Sequence, residues 1–421
     1  MRQTILFMFS CMLIAVISLL SVSNRPVSAT SRQIELPPVI KSSRELFKVV
    51  GNRVLLPSGQ QYIPEGISIY GGLEDTDYNE NLANIDAQIK AAALYWHTNT
   101  IRLQIAESNL FLHDSPNKAY NQQFLDQIIK EVQLAHSLGQ VVVLNDQTEF
   151  TTNTLAPTST TIKFWRVMSA TFSNQPFVIF DLFNEPRLYG TSITHSNPTY
   201  HLDHFLLNIN HQEYRYHHKQ HGHIKNALSV WQVWKYGATI DGTNYVGMQT
   251  LVNKIRSWGV DNLIWVEGPY WAQKLPKKPY LISGSNIVYS YHHIDLNQIS
   301  HWGFIARLAK KHAVVDGEWS QYQSPWAECY SSAPITTPQY LSFLHAHNIG
   351  LIAWSLQKGS LLKGNPSIEP SNLNSPYDTR SAKQLQVPSE FSHHYLCDNY
   401  FGQGAGALIK QFFKANSTLV Y

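Results

Sequence analysis

The stretch from Phe177 to Pro186 (FVIFDLFNEP) is a run of aromatic and β-branched residues that stops on Asn184, Glu185 and a proline. A run this short and apolar reads as a strand buried on both faces, the kind that parallel sheets use. A polar pair at the end of such a strand costs folding energy unless its hydrogen bonds are met, so Asn184-Glu185 marks a candidate site. The arrangement recurs later in the chain. Val314-Val315-Asp316-Gly317-Glu318-Trp319 again carries an apolar strand into a glutamate.

Working outward, the same rhythm extends in both directions. Pro64 to Ile69, Thr100 to Ile105 and Val141 to Leu144 read as strands upstream; Leu263 to Val266, Ile287 to Tyr291, Ala313 to Asp316 and Ile349 to Trp354 read as strands downstream. Most are separated by helical periodicity, over 82–95, Phe124 to Leu138, Thr161 to Ala170, Val246 to Trp258, 301–311 and 338–347. Gly139 is a natural stop for the second of these helices. Eight buried strands alternating with covering helices predict a closed α/β barrel, a (β/α)₈ TIM barrel. The alternative is an open doubly wound sheet. It is disfavoured because the first strand lacks a G-x-G-x-x-G start, and polar residues follow nearly every strand rather than two at a switch point.

Residues 187–245 interrupt the pattern as an insertion after the fourth strand. They carry eight histidines (195, 201, 204, 211, 217, 218, 221 and 223). The Asp203-His204 and Glu213-Tyr214 contexts predict an irregular helix with a polar face in preference to a metal site. In a barrel this loop lies on the catalytic face, where it would shape a substrate groove. The catalytic domain is expected over 45–415, with a closing segment and helix from Gly402 to Lys414 and a tail at 416–421.

Composition narrows the partner. Only 14% of the 421 residues are charged, against roughly 25% in an average globular protein, while 43% are hydrophobic and 12% aromatic. Disorder is excluded by that core material. A formal net charge of +3 and the absence of a long Lys/Arg block argue against nucleic acid. An amide-rich, aromatic surface suits an uncharged polar ligand. At the N-terminus, Arg2 precedes the apolar run from Ile5 to Val22, and Val27-Ser28-Ala29 fits a signal-peptidase site. Residues 1–29 therefore read as a secretory signal, or as an uncleaved anchor, followed by a polar link at 30–44. Either way the domain is expected outside the cytoplasm, secreted or surface-associated. Cys11 lies in this leader, leaving Cys329 and Cys397 as the candidates for a single disulfide.

Residues just past the C-terminal ends of barrel strands converge on one mouth. Here they are Arg102, Asn145, Asp146, Asn184, Glu185, Glu267, Trp271, His292, Glu318 and Trp354. Two glutamates far apart along the chain can thus face each other. Opposed carboxylates are what glycosidic cleavage requires: one protonated to donate to the leaving oxygen, one ionised to attack the anomeric carbon. Neither step requires a metal or an organic cofactor.

The motifs FDLFNEP (Phe180 to Pro186), NIVYSYH (Asn286 to His292), VDGEW (Val315 to Trp319) and LIAWS (Leu351 to Ser355) occur in this order. On them the chain resembles glycoside hydrolase family 5, the cellulase-like and mannanase-like retaining enzymes of clan A, over residues 45–415. The resemblance implies Glu185 as general acid/base and Glu318 as nucleophile. It implies Asn184 on the sugar 2-hydroxyl, Arg102 holding the nucleophile ionised and oriented, His292 beside the catalytic pair and Trp354 as the floor of the −1 sugar site. Trp271, Asn145, Asp146 and Glu267 are further candidates to bind substrate. Two departures stand out. Asn145-Asp146 replaces the histidine that commonly ends the family's third strand, and Ile294 of His292-His293-Ile294 replaces a tyrosine that hydrogen-bonds the nucleophile.

The expected activity is double-displacement hydrolysis of a neutral β-glucan or β-mannan. The expected state is a monomer with no protein partner. The rival readings are a catalytically impaired carbohydrate-binding protein on the same scaffold and a transglycosylase. An esterase is disfavoured because the chain has no G-x-S-x-G elbow.

Overall fold

The structure is a computed structural model that describes residues 46–74, 82–111, 120–148, 154–173, 175–188, 206–208, 213–214, 227–240, 243–292, 302–320, 333–356, 361–363, 380–391 and 404–418. The leader, the polar link, the eight histidines of the insertion, Cys329, Cys397 and Ile294 lie outside these residues.

A small antiparallel sheet comes first, built from β1 (Lys48–Val50), β2 (Arg53–Leu55) and β3 (Gln61–Tyr62). The chain then alternates: β4 (Glu65–Ile69), α1 (Leu82–Tyr95), β5 (Thr100–Ile105), α2 (Glu107–Leu110), α3 (Gln122–Ser137), β6 (Val141–Asp146), α4 (Ser159–Phe172) and β7 (Val178–Asp181). The insertion contributes β8 (Leu206–Asn208), β9 (Glu213–Tyr214), β10 (Ala227–Ser229), α5 (Val230–Tyr236), β11 (Gly237–Ile240) and β12 (Thr243–Val246). Alternation resumes with α6 (Met248–Ser257), β13 (Ile264–Glu267), β14 (Ile287–His292), α7 (Trp302–Ala309), β15 (Val314–Trp319), α8 (Ala333–His347) and β16 (Gly350–Ala353), and α9 (Gly406–Asn416) ends it.

β4, β5, β6, β7, β13, β14, β15 and β16 form a closed barrel, each strand parallel to its neighbours, with β16 pairing back onto β4. The predicted barrel and its eight strands are therefore present. Because side chains alternate along a strand, closure sorts them into two cores. Ile101, Leu103, Val142, Leu144, Phe180, Val266 and Tyr289 face the helices. Val141, Val143, Ile179, Trp265, Val288, Val315 and Ile352 fill the barrel, where Phe47, Val54, Leu56 and Tyr62 of the N-terminal segment join them. Tyr62 Oη lies 2.6 Å from Thr100 Oγ1, and Val49 N donates to Asn286 Oδ1 at 3.0 Å. The small sheet is thus the plug at the barrel's N-terminal end.

The inward series changes chemistry toward the other end. Two residues beyond Val143 stands Asn145; beyond Ile179, Asp181; beyond Trp265, Glu267; beyond Val288, Ser290 and then His292; beyond Ile352, Trp354. An apolar floor below and a polar layer above is how this sequence positions its site.

Three expectations need correction. Where the insertion is described, strands stand in place of the expected irregular helix: two antiparallel sheets, β10–β8–β9 and β11–β12, with the seven-residue α5 between them, while its histidines lie outside the described residues. α6 starts at Met248 because Val246 belongs to the β11–β12 hairpin, where its N–H reaches Pro157 O at 2.7 Å. α8 starts at Ala333, before Pro338. Proline favours the first helical turn, which is why a sequence reading starts the helix there. Burial of Ala333, Thr336 and Thr337 carries the additional turn.

Candidate active site

Arg102 organises the polar layer. It sits mid-strand on β5, in register with Ser68 of β4 and Val143 of β6, so its side chain points into the barrel. With no exposed surface, the guanidinium spends its fork on four groups. Nε donates to Asp181 Oδ2 at 2.9 Å, Nη1 to Glu318 Oε2 at 2.7 Å, and Nη2 to both Asn184 Oδ1 at 2.7 Å and Glu267 Oε1 at 3.0 Å. Burial disfavours the charge, but Asp181, Glu267 and Glu318 outweigh it, so the guanidinium is held charged more firmly than usual.

Glu185 and Glu318 come from opposite stretches of the barrel and meet at His292. His292 Nδ1 lies 3.1 Å from Glu185 Oε1. One oxygen of each glutamate and a ring nitrogen of His292 all lie within 4.8 Å of one another. Exposure divides the layer by role. The Glu185 and Glu318 side chains keep 18% and 16% of their surface, whereas those of Arg102, Asp181 and Glu267 keep none. Of these five side chains, only the two opposed glutamates keep surface at the mouth.

Local backbone sets their aim. Glu185 follows β7 with φ of 44°, a left-handed conformation uncommon for a residue with a side chain. Its N–H donates to Glu267 Oε2 at 2.6 Å, which holds that turn. Glu318 lies in β15 where the register slips against both neighbours, and it pairs with His292 across the first irregularity. Such bulges re-aim side chains at strand ends. Gly317 makes the approach possible, because a Cβ there would run into Ser290 Oγ.

The electrostatics follow from packing. Burial pushes the Glu185 carboxyl above the ordinary glutamate range; His292 opposes this, and Glu318 and Glu267 add to it. Burial works against a charged His292, yet Glu267, Glu185 and Glu318 prevail and raise the ring well above an ordinary imidazole. For Glu267, burial would favour the acid, but His292, Arg102 and the Glu185 N–H hold the carboxyl below the usual range. Among the described residues, Glu185, His292 and Glu318 are the acidic and histidine side chains close enough to share a metal ion.

The remaining predicted residues divide into those at the mouth and those beneath it. Trp354 follows β16, with Tyr70 edge-on at 5.4 Å between ring centroids. Trp271 is half-buried beside the Glu185 turn, its N–H reaching Pro186 O at 3.2 Å. Asn145, Asp146 and Glu267 do not fit the expected substrate-binding role, because none has exposed surface. Asn145 donates to Asp181 Oδ2 at 3.0 Å, Asp146 accepts from Thr148 Oγ1, and both oxygens of Glu267 face partners within the layer.

Two contributors escape a reading by residue type. Asp181 is the buried partner of Arg102 Nε, and Gln104 Nε2 donates to Glu318 Oε2 at 3.2 Å and Gln147 Oε1 at 2.9 Å. Gln104 thus supplies a neutral donor to Glu318, the service a tyrosine after the sixth strand would have given. Strand parity is the signal that finds both. Gln104 is two residues beyond Arg102, and Asp181 two beyond Ile179, on the inward series.

Comparisons with known proteins agree with this geometry. A search of curated sequences returned no match. Among solved structures, a β-glucanase from Saccharophagus degradans superposes with a TM-score of 0.56 at 18% identity, covering 90% of this chain and 98% of that one. The catalytic domain of an endoglucanase from Thermobifida fusca gives 0.51 at 13% identity, with 87% and 97% covered. A β-mannanase from Streptomyces thermolilacinus gives 0.50 at 14%, with 90% and 98% covered. At such identities these likenesses establish the shared fold. The sequence profile described as Cellulase (glycosyl hydrolase family 5) matches residues 66–360, from the first barrel strand to beyond the last. A profile match spanning the whole barrel, on a chain whose glutamates face each other across its mouth, makes this protein a member of glycosyl hydrolase family 5 and an O-glycosyl hydrolase.

Proposed function

We propose that the protein cleaves a neutral β-linked glucan or mannan by double displacement, with Glu185 as acid/base and Glu318 as nucleophile. The carrying observation is that an oxygen of each carboxylate lies within 4.8 Å of the other. Retaining enzymes hold their carboxyl groups roughly 5–5.5 Å apart, whereas inverting enzymes leave about 6.5–9.5 Å for a water between them. In the first step Glu185 protonates the departing glycosidic oxygen while Glu318 attacks the anomeric carbon. In the second, Glu185 takes a proton from water, and that water displaces Glu318. A carboxyl lifted by burial stays protonated to a higher pH than an ordinary glutamate, which suits Glu185 to the first step. Arg102 and Gln104 orient Glu318 by gripping Oε2. Asn184 is fully buried with its Oδ1 held by Arg102, so it braces the layer beneath the mouth, while the Trp354 indole, which keeps 4% of its surface beside Tyr70, supplies an apolar edge for the pyranose.

The substrate class is supported by the low charge of the chain and by the β-glucanase and β-mannanase among its structural likenesses. The apolar run from Ile5 to Val22 supports action outside the cytoplasm. One experiment tests the core of this reading. Soluble β-glucans and β-mannans are supplied to wild type and Glu318→Gln, and the anomeric form of the first product is followed by NMR. Wild type should release the β-anomer and Glu318→Gln should be inactive while keeping its fold. A first-formed α-anomer, or full turnover by Glu318→Gln, removes the mechanism.

A further inference from the structure

We propose that Glu267 is a positioning residue of the hydrolytic site, a third carboxylate that bridges the backbone of Glu185, the ring of His292 and the guanidinium of Arg102. The inference rests on the reading of Glu185 and Glu318 given above. Glu267 ends β13, on the inward series two residues beyond Trp265. Having no exposed surface, it cannot meet a sugar, and both its oxygens are engaged. Oε2 accepts the Glu185 N–H at 2.6 Å. Oε1 accepts Arg102 Nη2 at 3.0 Å and lies 3.0 Å from His292 Nε2. Its own backbone oxygen accepts the buried Trp234 indole N–H at 2.8 Å, which ties the strand end to α5 of the insertion.

Each of these contacts acts on a different part of the reaction. The bond to Glu185 N holds the left-handed turn that aims the acid/base. The contact with His292 places a negative charge beside Nε2, which favours a proton there, and with Glu185 beside Nδ1 the ring is held as an imidazolium whose Nδ1 donates to Glu185 Oε1. The charged groups around that ring are Glu185, Glu267 and Glu318, with Asp181 and Asp316 farther off. Arg102 is shared between Glu267 and Glu318, so a shift in one carboxylate is felt by the other. A buried anion is costly unless it is paired, and Glu267 has two cations and a backbone donor to offset that cost.

The test uses Glu267→Gln and Glu267→Asp in the full-length protein. Glu267→Gln keeps the shape but removes the charge. Its kcat should fall about 10–100-fold with KM changed by less than about threefold, because aim is lost and sugar contacts are not. The His292 ring, read by ¹⁵N NMR, should be an imidazolium at neutral pH in wild type and neutral in Glu267→Gln. Glu267→Asp keeps the charge but falls short of Glu185 N, so it should preserve the imidazolium and still lose kcat. Wild-type kcat and pH profile in Glu267→Gln would overturn the proposal, as would a neutral His292 in the wild-type protein, which decides the matter even if the variant fails to fold. The two readings fail separately. An active Glu318→Gln sinks the catalytic assignment, whereas an inactive Glu318→Gln beside a fully active Glu267→Gln sinks only the positioning role.

Discussion

A single missing carbon sets the spacing of the site. Gly317 precedes Glu318 on β15 and lies against Ser290 of β14, with His292 Nε2 just beyond. Its requirement is for room, since a Cβ there would force the buried Ser290 hydroxyl to turn aside, with Ser290 Cβ and His292 Nε2 also close by. Gly317→Ala should therefore cost about 1–3 kcal/mol of stability, as overpacking does, and lower kcat with it. Ser290→Ala removes the colliding oxygen, so the double variant should recover most of both losses. Urea unfolding and kcat on the four proteins of the cycle measure this coupling, and strictly additive effects would refute the steric account.

At the scale of elements, the strand ends that carry His292 and Glu318 are held from outside the barrel as well as inside. Both lie at register irregularities, where the ladder alone does not define them. On the helix-facing side, Tyr340 of α8 donates to Asp316 Oδ2 at 2.6 Å, and its hydroxyl lies 2.7 Å from that of Tyr291. Asp316 and Tyr291 are each within two residues of a reacting or orienting side chain. Tyr340→Phe deprives a fully buried carboxyl of its side-chain donor and leaves it the Glu318 backbone N–H, which costs about 1–3 kcal/mol. A lower urea midpoint with a reduced kcat is the expected result. An unchanged midpoint would show that the outer clamp contributes nothing.

Across the whole molecule, several buried groups bind protons more tightly when folded. Burial raises Asp316 and Glu107 to about 7, and burial together with Asp86 raises Glu131 to about 8. Each of these acids is more protonated in the folded state than in the unfolded one between its ordinary carboxylate value and its folded value. Stability should therefore fall as pH rises through that window. His292 acts in the same sense, since its stabilisation is complete below the ordinary imidazole value and is lost as pH climbs through the higher folded value. Glu267 opposes the trend only at acid pH, where its depressed carboxyl begins to protonate. Urea midpoints at constant ionic strength should decline from about pH 5 to about pH 8, less steeply in Asp316→Asn. A midpoint that rises over this range contradicts the assignment.

Local patterns carry certain information, and these were legible in the residues. A strand's side chains alternate regardless of what surrounds it, so apolar runs ending in Asn184-Glu185, His292 and Glu318 announced both a barrel and the polar rim of its mouth. The strand pattern of the insertion was not legible, because short antiparallel pairs such as β11–β12 depend on partners rather than on a periodic run. Nor was the division of labour among strand-end residues. Asn145, Asp146 and Glu267 looked like ligand contacts by type and position, yet closure of the barrel seals them beneath the surface. Sequence by itself determined the scaffold and set the pair of glutamates at strand ends, since both follow from residue order along a strand, and its motifs carried the resemblance to the family. Only the tertiary structure decided which polar groups keep surface at the mouth and which are sealed beneath it to hold them. That choice depends on how β5, β7, β13 and β15, distant in the chain, bring Arg102, Asp181, Glu267 and Glu318 to within one guanidinium's reach.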